Sequence, residues 1–226
     1  MKLLSSGVTN AKTIKNEWET HIMYLSPSTQ LSGYNLCPKA SEGCKAACLY
    51  TAGRGKFSSV QISRLERTKL WATDKDAFYI KLAGELMRLS KRAKKGGKTI
   101  AVRLNGTSDI DHIGLLMRYT NVDALKLDNL VFYDYTKCIN YIKKYRGTDY
   151  HITFSRSESN DDEVMEVLSS GGNVAVVFDT LPQEWRGYKV IDGDLSDLRY
   201  NDPKNVIIGL KAKGLAKKDK TGFVIK

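Results

Sequence analysis

Nowhere in its 226 residues does the sequence hold the roughly 20 consecutive apolar residues that a membrane helix needs. No membrane partner is therefore expected. The opening run, MKLLSSGVTNAKTIKNEW, has too short an apolar part to act as a signal peptide. No nucleophile elbow and no Ser-His-Asp order is present, which removes the common signatures of serine hydrolases. No repeat is present beyond a strand–helix period. There are only four cysteines and three histidines. A chain this long can bury its own core without disulfide staples, so the cysteines point to an intracellular metal site.

What the chain does contain is ordinary for a globular protein: 42% hydrophobic and 27% charged residues, which argues against disorder. Its charge is less ordinary. Thirty-six Lys and Arg against 25 Asp and Glu leave a formal net charge of +11, which favours nucleic acid or another polyanion as a partner.

The strand-like run Glu19–Leu25 is followed by a Ser/Gly/Pro-rich stretch, residues 26–55, that carries three of the cysteines. Loops of about 30 residues are uncommon in compact domains unless they carry function. Helical periodicity covers Ser58–Trp71 and Thr73–Ala93; the latter repeats Phe78, Leu82, Leu86, Leu89 and Ala93, with Asp74 or Thr73 as cap and Gly96–Gly97 as stop. Strands at 98–104, 130–133, 150–154, 173–178, 188–191 and 206–209 then alternate with helices at 111–120, 136–145 and 161–170. That alternation predicts one α/β domain over residues 1–226 built from parallel βαβ units. A partial or closed TIM-like (β/α) barrel and a doubly wound sheet both fit; polar clusters after nearly every strand favour the barrel. The basic tail, residues 212–226, reads as loosely ordered.

The cysteine loop reads NLCPKASEGCKAACLY, with Cys37, Cys44 and Cys48 spaced C-x6-C-x3-C. Three thiolates on one loop suit an iron–sulfur cluster or a zinc ion. Lys39 and Lys45 would favour the thiolate form. A cubane held by three cysteines leaves one iron open to a small-molecule ligand. Cys138 is a candidate fourth thiolate, and His112 is the best histidine candidate for zinc. His21 and His151 lie within strands and read as structural.

Other candidates follow from composition. Asp109, Asp134 and Lys137 are candidate catalytic residues. Asp109, Asp134, Asp192 and Asp194 together would suit magnesium or manganese in a phosphodiester nuclease. Gly53-Arg-Gly-Lys56 is a weak phosphate loop or a solvated basic turn. Arg64 and Arg67, with Trp71 one turn on, suit nucleic acid or simply the exposed face of an amphipathic helix.

Several segments together resemble the phage "gene product 88" family: Leu25-Ser-Pro27, Ser32-Gly-Tyr-Asn35, the cysteine loop, Thr51-Ala-Gly-Arg-Gly55, Arg103-Leu-Asn-Gly-Thr-Ser-Asp-Ile110, Tyr133-Asp-Tyr-Thr-Lys137, Thr153-Phe-Ser-Arg-Ser157, Val190-Ile-Asp-Gly-Asp194 and Ile208-Gly-Leu-Lys-Ala-Lys-Gly214. The resemblance covers most of the chain and implies a phage protein in the cytoplasm of an infected host cell. A weaker similarity is to radical S-adenosylmethionine enzymes, which also place three cysteines after the first strand of a partial barrel, though spaced C-x3-C-x2-C. It implies a [4Fe-4S] cluster with S-adenosylmethionine at its open iron. Asn105, Gly106, Thr107 and Ser108 would then meet the amino group, and Ser155 and Ser157, or Asp134 and Lys137, the ribose and carboxylate. Asp192 and Asp194 complete the expected cofactor pocket. The alternatives are a nucleic-acid-binding phage protein with a structural metal, and a metal-dependent nuclease in phage replication.

Overall fold

The computed structural model describes residues 1–7 and 18–226. Their strands form one ten-stranded open sheet. A three-residue strand β1 (Leu4–Ser6) runs antiparallel to β2 (Glu19–Met23). From β2 the sheet continues in chain order and in parallel through β3 (Ile100–Arg103), β4 (Leu130–Thr136), β5 (Tyr150–Ser155) and β6 (Val174–Phe178). The order then folds back on itself. β9 (Ile207–Lys211) pairs with β6, β8 (Tyr188–Asp192) pairs with β9, and β7 (Glu184–Trp185) closes the far edge. β1 and β7 are edges that never meet, so the sheet is mixed α/β and open rather than a closed barrel. A doubly wound order is excluded too, because β2 to β6 neighbour one another in sequence.

The helices lie where sequence periodicity puts them. α2 (Ser58–Thr73) and α3 (Lys75–Lys95) connect β2 to β3. The Asp74 carboxylate accepts from the Ala77 amide at 2.9 Å, which caps α3, and Gly97, at φ +60°, ends its turn. α4 (His112–Thr120), α5 (Ile139–Lys144) and α6 (Asp161–Ser169) fill the later connections.

Alternate strand residues separate the two faces of the sheet. Ile100, Val102, Leu130, Phe132, Tyr150, Phe154, Val174 and Val176 join the helices in the two large apolar clusters. Ala101, Tyr133, Ala175 and Ile208 point the other way, where Leu198, Tyr200 and Val206 from the segment after β8 cover them. That second face also holds charge. Arg103 lies 3.6 Å from Asp134 and 3.5 Å from Asp197, with the Tyr135 ring centred 4.7 Å from its guanidinium.

Three short strands, β1, β7 and one in the tail, escape sequence periodicity, and the first and last depend on side chains far away. The buried Glu85 carboxylate accepts from the Leu3 and Leu4 amides at 2.9 Å each, and so holds β1 down. The tail is ordered, not loose. β10 (Val224–Ile225) pairs in parallel with β6 at Val177 and Phe178, beyond Val174 and Ala175, where β5 pairs. Arg156 secures it by donating to the Gly222 and Phe223 carbonyls. No helix among the described residues is long and apolar enough to cross a membrane.

Candidate functional site

The cysteine loop lies over the carboxyl ends of the parallel strands, and each neighbouring loop grips it. The Asp109 amide donates to the Leu36 carbonyl at 2.8 Å, and the Thr107 hydroxyl donates to the Leu25 carbonyl at 2.5 Å. The Cys37 thiol lies 3.8 Å from the Thr107 carbonyl and accepts from the Ser28 amide at 3.4 Å. Further on, the chain forms a short helix α1 (Glu42–Ala46), whose start is held from outside. Glu158, after β5, accepts from the Gly43 amide and the Ser41 hydroxyl at 2.7 Å each. Gly43 has no room for a side chain: a Cβ there would lie 2.2 Å from Thr221 Oγ1 and 2.7 Å from Phe223 Cβ. Cys44 packs beside the cluster of Ala47, Ala212, Ala216, Phe223 and Val224, so the tail walls the loop.

Cys37, Cys44 and Cys48 thus occupy one neighbourhood. The charge on Cys37 would be opposed by Cys44 and Cys48, and that on Cys48 by Cys44. None of the four cysteines is in a disulfide. Burial pushes the Cys37 thiol up to about 12 and raises Cys48 as well. Burial, not lysine charge, dominates at Cys37, and Lys45 is paired with Glu42 at 2.7 Å. Among the described residues no three His, Cys, Asp or Glu side chains are arranged to hold a metal ion as they stand.

Beside the loop opens a cleft of about 540 Å3 lined by Lys39, Lys137 and residues 157–163. Lys137 donates to the Ser155 hydroxyl at 2.8 Å and acts electrostatically on Cys48. Ser157 is almost wholly buried, and its amide donates to Asn160 Oδ1 at 2.7 Å. Lys137, Ser155 and Ser157 therefore gather on one side of the loop.

The remaining candidates are engaged in holding loops. Asn105 folds the strand-end turn: its Oδ1 accepts from the Ser108 hydroxyl and the Ile110 amide, and its Nδ2 donates to the Ile110 carbonyl. Gly106 makes room for an aromatic ring, since a Cβ there would lie 2.6 Å from Tyr24 Cδ1. Asp109 accepts from Thr136 Oγ1 at 2.6 Å and the Lys137 amide at 2.8 Å. Burial raises the Asp109 carboxyl against those two bonds. Asp134 accepts from the Leu104 and Asn105 amides and from the Tyr150 hydroxyl; burial pushes it up to about 6, against the pull of Arg103. Asp194 accepts from the Lys211 amide and from Lys213 Nζ, and Asp192 from the Asp194 amide. Asp109 and Asp134 tie neighbouring strand ends, Asp192 and Asp194 hold the turn after β8 and its link to β9, and the four build no cation site among the described residues.

His112 is fully buried in the helical core, with Nδ1 3.0 Å from the Tyr79 hydroxyl, and burial lowers it to about 3. That is a structural place, not a zinc ligand's. Cys138 begins α5, where its amide donates to Thr136 Oγ1 at 2.9 Å. Gly55 lets the basic turn at 53–56 fold back tightly, since a Cβ there would lie 2.7 Å from the Tyr50 carbonyl oxygen.

The arginines of α2 contradict both sequence readings. Arg67 donates to the Lys2 carbonyl at 2.8 Å and lies 3.5 Å from the Tyr24 carbonyl, while Trp71 is buried and donates to Tyr79. Arg64 is 7% exposed, with its guanidinium 4.8 Å from the Tyr24 ring centre and 5.5 Å from that of Tyr50. This row faces inward. Neither Arg64 nor Glu158 carries a sequence signal that marks it, because both are charged residues in segments that read as solvated.

No curated protein and no solved structure matches the chain. A family model does, the one described as Gene product 88, over residues 2–226. The chain therefore belongs to the gene product 88 family, a bacteriophage-type group.

Proposed function

We propose that this phage-type chain is an iron–sulfur protein in which Cys37, Cys44 and Cys48 hold a [4Fe-4S] cluster beside a ligand cleft. The observation that carries the reading is the grouping of three thiols from one loop over the strand ends, each within electrostatic reach of another. Their chemistry fits the group, since thiolates are its usual ligands. As they stand the three do not form a ligand set, so loading requires them to turn toward one another. Binding also displaces the thiol protons that burial retains. When bound, such a group supplies single electrons and one iron open to a small molecule.

The protein's own part is the surroundings. Lys39, Lys137 and Ser157 offer donors to a ligand in the cleft, Ser155 holds the Lys137 ammonium, and Arg64 and Lys137 offset negative charge at Cys48. Taken with the parallel run from β2 to β6, the sheet reads as a partial (β/α) barrel wall, and the activity as redox or radical S-adenosylmethionine-like. A nucleic-acid reading draws on the net charge of +11 alone; its mark would be affinity that falls steeply with salt.

Iron and sulfide analysis of anaerobically prepared protein tests the proposal. Wild type is expected to be brown and to carry both elements, and the Cys37, Cys44, Cys48 triple alanine variant neither. Reduced protein with S-adenosylmethionine should release 5′-deoxyadenosine or methionine if the radical version holds. Zinc without sulfide, or no metal after reconstitution, overturns the cluster.

A further inference from the structure

Buried charged groups are paired or coordinated in almost all proteins, because an unpaired one loses its hydration without compensation. Arg64 breaks that pattern. It lies inside the molecule, yet its Nε and Nη1 are shielded from solvent and have no hydrogen-bond acceptor among the described residues. No carboxylate forms an ion pair with it there either. Its contacts are aromatic. The guanidinium sits over Tyr24 and Tyr50, whose faces offset part of the cost.

The surroundings hold Arg64 in this position. Tyr24 follows β2 and lies against Gly106, which has no Cβ to block the ring. Tyr50 belongs to the 3-10 turn Leu49–Thr51 of the cysteine loop. Thr68, one turn along α2, is bonded to the Ser26 amide at 2.8 Å and donates to the Arg64 carbonyl at 2.8 Å, which fixes that stretch of helix against the loop. Cys48 lies within electrostatic reach of both Arg64 and Lys137, and Lys137 lines the cleft.

We infer that Arg64 is the anchor of an oxyanion subsite beside the cysteine loop, taking a carboxylate or phosphate group of a small-molecule ligand. An oxyanion supplies the acceptors that the two shielded nitrogens lack, and an arginine fork suits such a group. The inference deepens the reading of the cysteine centre by naming the charge of its ligand. Its test is made on the iron-free chain, so it stands or falls independently of the iron analysis.

The experiment titrates chelator-treated full-length protein with inorganic phosphate and, separately, with acetate, at constant ionic strength, and follows the thermal midpoint and binding heat. At roughly one hundred times its dissociation constant the fitting anion should raise the midpoint by roughly 5–10 °C. The better of the two identifies the group. Arg64→Met should abolish the response while leaving the anion-free midpoint equal or higher, because a buried unpaired charge has been removed. Arg64→Lys keeps charge but not the fork, and should retain a weakened response; it serves if the Met variant does not fold. The inference is overturned if neither anion raises the wild-type midpoint, or if Arg64→Met responds like wild type.

Discussion

Arg64 and Arg103 are both held inside this protein, one beside the cysteine loop and the other on the second face of the sheet. Arg103 has its anions built in. Asp134 and Asp197 stand 3.6 and 3.5 Å away, and against the penalty of burial they raise its hold on its proton. Asp197 accepts in turn from the Tyr133 hydroxyl at 3.1 Å, so the cluster is anchored on both sides. Arg64 has two tyrosine rings and, among the described residues, no carboxylate, and burial weakens its hold on its proton. The same side chain thus has ion partners within the fold in one region and, among the described residues, none in the other. The difference separates a charge neutralised within the fold from one that meets only aromatic faces there.

The sharpest way to break that contrast is to remove each cation in turn. Arg103→Met should cost about 3–5 kcal/mol in urea unfolding, because it strands two buried carboxylates, whereas Arg64→Met should cost little or nothing. Equal losses would erase the distinction. Gly106→Ala is the next largest perturbation. Its Cβ would drive into the Tyr24 ring, with an expected cost of about 1–3 kcal/mol, and the displaced ring should also weaken any anion response at Arg64.

Glu158→Gln acts on the loop alone. It keeps the shape but weakens the hold on the Gly43 amide and Ser41 hydroxyl, for about 1–2 kcal/mol. Amide exchange should quicken at Gly43 and Cys44 and stay slow in β3 to β6; a uniform change would show that the loop is not separately tethered.

The smallest effect is in pH dependence. His112, lowered to about 3 by burial, gives stability that is complete above the unfolded value near 6.5 and is lost as pH falls toward 3. Asp134, raised to about 6 by burial, acts in the opposite sense: between about 4 and 6 the folded state takes up its proton more readily, so acid favours folding there. Asp134→Asn deletes the opposing slope. Urea midpoints between pH 6 and 4 should then fall more steeply than in wild type, and an unchanged slope would place the Asp134 proton elsewhere.

Much of the fold is legible in the residues because both of its periods are regular. Phe78, Leu82, Leu86 and Ala93 mark α3 directly, and the β-branched runs mark β3, β5, β6 and β9. Edges are not legible that way. β1, β7 and β10 have two or three residues each and exist through Glu85, a hairpin and Arg156, partners distant in sequence or without periodicity. At the candidate site, the grouping of the three cysteines follows from their sharing one loop. The burial of Arg64 does not, because an arginine among serines, glutamates and lysines reads as solvated until Tyr24 and Tyr50 are folded over it. Asn105, Asp109 and Asp134 illustrate the converse: strand-end polar residues that look poised for chemistry are consumed in tying adjacent loops.

The way the tail walls the cysteine loop has a consequence for the order of assembly. Phe223 and Val224 close over Cys44, yet they leave the ribosome long after the loop itself and after every strand of the central run. While translation proceeds, that side of the loop stands open, and Gly43 meets no neighbour from the tail. Anything entering among the thiols before Phe223 and Val224 emerge would meet an open side; anything entering afterwards would find that side closed by β10 on β6.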